Sequence, residues 1–263
     1  MNRYKGFSLG AAASFVAIIA SCGGNSDCNS AADSLSLESY AYDVISLTTD
    51  SVGFDLEGAD RLRSQGEGIL PVAKEGEPLM SLRDSLMKLA GVEFDQKGKA
   101  YPLPTEGFEL STEPADSTDA CNYSINKLTI TLVTPRVAVW SNETSFYPCG
   151  AAHPMSATTY VNYDRTNHRI LSLSDLMKDG YQKALAQLLR EKLQEMNIDL
   201  LVDIDSVEVP EIFNLTNDGI SFTYGLYSIA PYSSGEVKVN LSAWELSDVL
   251  TNEGYNLIMD SSF

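Results

Sequence analysis

Few side chains in this sequence are spaced for covalent or metal chemistry. The chain has two His and four Cys in 263 residues. His153 stands in Gly150-Ala151-Ala152-His153-Pro154, and His168 in Arg165-Thr166-Asn167-His168. An imidazole before proline can serve as a base or order a turn through its two ring nitrogens. His168 reads as a solvated turn residue. Asp203 and Asp205 have spacing compatible with paired acid–base work or calcium binding, and equally with an exposed strand or loop. No P-loop, G-x-G-x-x-G or H-E-x-x-H occurs. No catalytic residue, metal ligand set or cofactor is therefore expected.

The stretch that does stand out is built for contact. Tyr224-Gly225-Leu226-Tyr227-Ser228-Ile229-Ala230-Pro231-Tyr232-Ser233-Ser234-Gly235 holds three Tyr, one Pro and two Gly. Tyr supplies a large amphipathic surface at low entropic cost, so a Tyr-rich loop on a sheet suits recognition. The competing reading folds those aromatics back over the core.

Charge narrows the partners. Against 18 Lys+Arg stand 36 Asp+Glu, a net charge of −18, which is the wrong sign for nucleic-acid binding through bulk charge. Apolar residues at 44% exclude wholesale disorder. From Leu193 to Phe263 there are twelve acids and a single base, Lys238. That half suits a cationic partner by steering and complementarity, or simply keeps a surface protein soluble.

The N-terminus reads as an address. Arg3 and Lys5 precede an apolar, uncharged run from Phe7 to Ala20, short of the roughly 20 residues a bilayer span needs. It ends in Ile19-Ala20-Ser21-Cys22, which resembles a bacterial lipobox. Residues 1–21 are then a lipoprotein signal peptide, Cys22 is the acylated N-terminus, and 22–38 is a tether; an ordinary cleaved signal is the alternative. The mature chain would carry 16 bases against 36 acids, or −20. The expected location is the bacterial cell envelope, periplasmic or on the outer membrane, touching membrane through the lipid alone. Export permits disulfides, and Cys121 with Cys149, bracketing a strand-rich segment, is the expected pair. Its closure would stabilise the fold by roughly 3.5 kcal/mol on the chain-entropy model; two buried free thiols are the other reading.

The elements that must position the Tyr loop are legible by period. Ser39 to Thr49 reads as a first strand. Pro78 opens a helix with Leu79, Leu82, Leu86 and Leu89 on one face, ended by Gly91. Residues 98–120 read as a loop or junction. Lys127 to Trp140 is one β-branched run interrupted at Pro135 by a bulge or edge position, and Thr158 to Tyr163 is a strand. Ser174 and Asp175 cap a short turn before a helix over Gln182 to Met196. Ile212–Leu215 and Ile220–Leu226 flank Thr216-Asn217-Asp218-Gly219, a hairpin signal. Val237 to Leu241 is a last strand and Trp244 to Leu250 a closing helix. Strands and helices in separate runs predict α+β, with antiparallel sheets, helices packed on one face and two subdomains. The expected division is 39–110 and 122–263.

Three stretches carry a family resemblance: Tyr147-Pro148-Cys149-Gly150-Ala151-Ala152-His153-Pro154, Tyr160 to Leu176, and Phe213 to Phe222 leading into Ile229 to Gly235. They resemble a bacterial extracytoplasmic domain found in the C-terminal ectodomain of a lysozyme-sensing anti-sigma factor. The same domain recurs in the non-catalytic region of some peptidoglycan deacetylases. Ala151 stands where the family's turn usually has its second Gly. The resemblance implies a binding domain rather than an enzyme. The partner it implies is a cationic protein such as lysozyme, met by Tyr227, Ile229, Pro231, Tyr232, Gly235 and His153, with Tyr232 as anchor. A module binding peptidoglycan or exported polysaccharide is the competing class.

Overall fold

The computed structural model describes residues 42–55, 61–71, 78–94, 100–102, 108–114, 122–148 and 150–259. The expected signal peptide (1–21) and tether (22–38), with Cys22, Cys121 and Cys149, lie outside the described residues.

A seven-stranded sheet forms the frame, in the order β5-β1-β2-β6-β7-β8-β9. Its strands are β1 (Tyr42–Asp55), β2 (Arg61–Pro71), β5 (Phe108–Pro114), β6 (Asn122–Val133), β7 (Val137–Tyr147), β8 (Met155–Asp164) and β9 (Arg169–Ile170). Every neighbouring pair is antiparallel except β2 with β6, which is parallel. Strands from both sides of the expected division, β2 and β6, thus pair within one sheet. A small sheet, β10 (Ile212–Leu215), β11 (Gly219–Tyr224) and β12 (Val237–Ser242), is antiparallel, and β3 (Val92–Phe94) pairs with β4 (Ala100–Pro102). The architecture is α+β with predominantly antiparallel sheets.

Period-two alternation divides two cores between the faces of the large sheet. Ala138 and Trp140 of β7 share one cluster with Leu128, Val161 and Tyr163, covered by Leu82 and Leu86 of α1 (Pro78–Leu89). Val137 and Val139 belong to the other cluster, with the small sheet, α3 (Gln182–Met196) and α4 (Asn252–Met259). α3 buries Leu185, Leu189 and Leu193, one residue every four, the stripe an amphipathic helix presents to a core. Truncating such a leucine typically costs about 2–5 kcal/mol.

Four expectations are corrected. The run from Lys127 to Trp140 is two strands, because Pro135 sits in a tight turn and not at a bulge or edge. Thr134 closes that turn: its Oγ1 accepts from the Val137 N–H at 2.9 Å, and its own N–H donates to the Val137 carbonyl at 2.8 Å. The bulge lies instead between Ile130 and Leu132. Residues 98–120 contain β4 and the edge strand β5. The capping residue of the short helix α2 (Leu173–Leu176) is Ser172, whose N–H donates to the Asp175 carboxylate at 2.7 Å. Trp244 to Leu250 is a series of turns, and α4 follows it. Leu246 and Leu250, both buried, mimic a helical period there, but i→i−4 bonds at Leu246 and Leu250 alternate with i→i−3 bonds at Ser247 and Val249.

Side chains join the small sheet to β8. Asn162, 2% exposed, donates through Nδ2 to the Phe213 carbonyl (3.0 Å) and accepts the Leu215 N–H on Oδ1 (2.8 Å). One amide thus satisfies both polar groups of a β10 segment, as a neighbouring strand would. Glu236 likewise accepts from the Thr158 N–H and hydroxyl, each at 2.7 Å. The hairpin tip is equally tight. A Cβ on Gly219 would stand 2.0 Å from the Leu241 carbonyl oxygen, so this position admits glycine alone without backbone movement.

Candidate functional site: an aromatic clamp at one end of the small sheet

β11 and β12 deliver the Tyr-rich loop beside the turn that leads into β8. The loop's ends are fixed by burial: Tyr224 is in the core, with its hydroxyl donating to the Glu208 carbonyl at 2.9 Å, and Ile229 and Ala230 are buried at 6% and 1%. Burial pushes the Tyr224 phenol up to about 12. Ile229, one of the expected contact residues, therefore packs into the core beneath the loop.

Above these anchors His153, Tyr227 and Tyr232 converge. The His153 and Tyr232 rings stack, with centroids 3.7 Å apart. Tyr227 lies 5.7 Å from Tyr232 and 6.4 Å from His153, tilted against both. The hydrogen bonds form a chain. The Tyr227 hydroxyl reaches His153 Nε2 at 3.3 Å, and His153 Nδ1 lies 3.2 Å from the Pro154 carbonyl. The Tyr232 hydroxyl donates to that same carbonyl at 2.8 Å. A carbonyl can only accept, so the Pro154 contact calls for the tautomer protonated on Nδ1, in which Nε2 accepts from Tyr227. Tyr147 braces the turn by donating to the Ala151 carbonyl at 2.9 Å.

The loop is bent sharply to achieve this. Tyr227 has φ +62°, a left-handed conformation that costs a non-glycine residue about 1–2 kcal/mol. Such strain gathers at functional sites. Gly235, at φ +68°, closes the 3-10 turn Tyr232–Ser234 that follows Pro231, and its N–H donates to the Tyr232 carbonyl. The bend presents Tyr227 at 50% exposure, while Tyr232 and Pro231 are half-buried. Tyr227 is thus the more exposed of the two rings, and the expected anchor Tyr232 the more buried.

A second segment, which sequence reading missed, lies alongside. The Leu201 N–H donates to the Ile229 carbonyl at 2.8 Å, bringing Leu201 and Val202 to the loop at 58% and 38% exposure. Exposed Asp199, Asp203 and Asp205 flank them. Asp203 accepts the Asp205 N–H at 3.0 Å and caps a short 3-10 turn, so the two aspartates point to turn-making. Their pattern, Asp-Leu-Leu-Val-Asp-Ile-Asp, carried the signal: apolar residues outside any amphipathic period. His168 occupies its expected turn, at φ 53°, with Nδ1 3.3 Å from the Tyr163 hydroxyl. Among the described residues no group of three His, Cys, Asp or Glu could hold a metal ion.

Residues 174–243, which include the Tyr loop and stop short of His153, match the model of DUF3298, a protein family of unknown function. This stretch is a DUF3298 domain. Two crystal structures of DUF3298 proteins share the wider fold. One, from Bacteroides fragilis, is 19% identical with a TM-score of 0.57, over 84% of this chain and 97% of its own. The other, from Pseudomonas aeruginosa, is 16% identical with a TM-score of 0.54, over 82% of this chain and 96% of its own. At those identities the likeness is one of fold. No curated protein matches. The clamp therefore joins Tyr227 and Tyr232 of the DUF3298 domain to a histidine 21 residues before the matched segment begins.

Proposed function

We propose that this is a non-catalytic binding protein of the bacterial cell envelope, anchored by acylated Cys22, whose Tyr227 surface takes a cationic protein such as lysozyme. One observation carries the reading. Tyr227, Leu201 and Val202 are exposed apolar side chains on two stretches joined by the Leu201–Ile229 backbone bond, and exposed Asp199, Asp203 and Asp205 lie on the second stretch. A desolvating aromatic centre inside a charged rim is the anatomy of a protein interface. The acidic half supplies attraction over a range of roughly a Debye length. The strained, hydrogen-bonded clamp lowers the entropy lost on binding because the ring is already in place.

The test is capture of lysozyme and, separately, of purified peptidoglycan sacculi by the purified protein. Lysozyme retained in a salt-sensitive manner supports the reading, whereas retention on sacculi alone replaces it with a glycan module. Labelling cells with a palmitate analogue tests the anchor, since Cys22→Ala should lose all label. The glycan reading has its own observation, Trp244, which is 80% exposed.

A further inference from the structure

A cavity of about 320 Å³ opens beside the first turns of α4, and none of the clamp residues lines it. Asn252, Tyr255 and Asn256 border it at the i, i+3, i+4 spacing of one helix face. Its walls are fixed. The Thr251 N–H donates to the Leu176 carbonyl at 2.9 Å, and the Thr251 hydroxyl donates to the same carbonyl at 3.1 Å while accepting the Gly254 N–H at 2.9 Å. A Cβ on Gly254 would stand 2.3 Å from that carbonyl, so α4 is seated directly on the end of α2. Across the cavity the Lys178 N–H donates to the Val249 carbonyl at 2.8 Å. The turns that lead there from β12 are pinned at Glu245, whose carboxylate accepts from the Ser242 N–H at 2.8 Å and the Lys192 ammonium at 2.9 Å. Walls held in this way need little ordering when a ligand enters.

Lys178 is the one charged residue of the lining. Its ammonium donates to the Asp248 carbonyl at 2.9 Å and the Ser247 carbonyl at 3.4 Å. Both acceptors are neutral, so these bonds orient the charge without compensating it, and a third N–H is left over. Among the described residues no carboxylate lies within ion-pair distance of it, whereas Lys192 holds both Glu195 and Glu245. The neighbouring acids Asp179 and Asp248 do not line the cavity. Glu253, in the first turn of α4, is paired with Arg136 at 2.5 Å. A cation bordering a concavity with no acid opposite it leaves the counter-charge to a ligand.

The remaining lining sets the rest of the guest. The Ser247 hydroxyl and the Asn252 and Asn256 amides can each donate or accept, and Leu250 and Tyr255 add an apolar wall. One ammonium matches one negative charge, and the net charge of −18 on the chain raises the cost of a second. That favours a carboxylate over a phosphate dianion. The volume falls at the lower end of the range for small-molecule sites.

We propose that this cavity binds a small organic monocarboxylate, its carboxylate on the Lys178 ammonium and its hydroxyl or amide groups on Asn252 and Asn256. The site is independent of the cationic-partner reading and uses none of its residues.

The test compares each acid with its own amide, which differs in charge alone. D-glucuronate with D-glucuronamide, and N-acetylalanine with N-acetylalaninamide, are titrated into isotope-labelled protein and followed by backbone amide NMR shifts. Saturable shifts at Lys178 and from Ser247 to Asn256 are expected with at least one acid, and at least tenfold weaker binding with its amide. Lys178→Gln should weaken binding of the acid at least tenfold, and Lys178→Arg should retain most of it. Asn256→Asp, at an exposed position of α4, sets a carboxylate in the lining and should weaken the acid comparably without touching the Lys178 bonds. No saturable shift with either acid at millimolar concentration overturns the proposal, as does an amide that binds as tightly as its acid. Inorganic phosphate binding more tightly than both acids, or acid binding unchanged in Lys178→Gln and Asn256→Asp, also overturns it. Failure here leaves lysozyme binding at Tyr227 untouched.

Discussion

The two ends of β12 present aromatic side chains in opposite ways. At the Val237 end three rings hold one another, and their hydroxyls and ring nitrogens tie two separate chain segments together. At the Ser242 end one indole stands alone, positioned only by its backbone. An aromatic in a clamp therefore contributes to stability as well as contact, and its removal confounds the two. An aromatic on a pinned turn can be removed cleanly. Within the clamp, Tyr232 is the structural member and Tyr227 the presented one.

Asn162→Ala should break this contrast most forcefully. It strips partners from the Phe213 carbonyl and the Leu215 N–H, both buried, at about 1–3 kcal/mol for each group left unpaired. Chemical denaturation should show a loss of about 2–5 kcal/mol. Because His153 reaches the Tyr loop across the join between the sheets, the clamp should loosen, while the Trp244 turn, internal to the small sheet and its helices, keeps its emission spectrum.

Tyr232→Ala comes next. Loss of the stack on His153 and of the bond to Pro154 should cost about 1–3 kcal/mol, read from the same denaturation curves. Tyr227→Ala should cost much less, because relief of its left-handed strain offsets lost contact.

Acid sharpens the contrast from the other side. Hydrogen bonds from Ser242 and the Lys192 partner hold Glu245 down to about 2. Burial alone would raise the Asp164 carboxyl, but hydrogen bonds from Asn167 and Thr166 and the charge of Arg136 outweigh it and hold it below the usual range. Each carboxylate binds fewer protons folded than unfolded, so its contribution is complete above the unfolded value near 4. It is lost as pH falls toward the folded one. The melting temperature should drop between about pH 4 and pH 2, and Glu245→Gln should flatten that drop while lowering stability at pH 7.

The smallest effect belongs to Trp244→Ala, which should leave stability within about 0.5 kcal/mol, measured by thermal melt.

Much of the scaffold was legible because local pattern and tertiary burial agree. The Leu stripes of α1 and α3 and the Thr216–Gly219 hairpin are cases where one face decides the element. Pattern failed where tertiary contacts choose among local alternatives. Leu246 and Leu250 repeat at helical spacing, yet Glu245 is drawn to Ser242 and Lys192 and the chain closes into turns. Of the site, the Tyr loop and His153 were readable as separate chemistry-bearing stretches. Their stacking was not, since nothing in sequence reports that the β8 turn meets the β11–β12 loop. Leu201 and Val202 were missed because one backbone bond to Ile229, invisible to side-chain pattern, puts them there.

The central claim is that Tyr227 is the contact residue of a surface for a cationic protein. Surface-immobilised binding of lysozyme to wild type and Tyr227→Ala, at two ionic strengths, tests it most directly. The account predicts wild-type binding at micromolar concentration or tighter, with association slowed by salt. It predicts a loss of at least about 2 kcal/mol in Tyr227→Ala, roughly thirtyfold in affinity, carried mainly by faster dissociation. No binding at micromolar lysozyme, or equal binding by the variant, would contradict it.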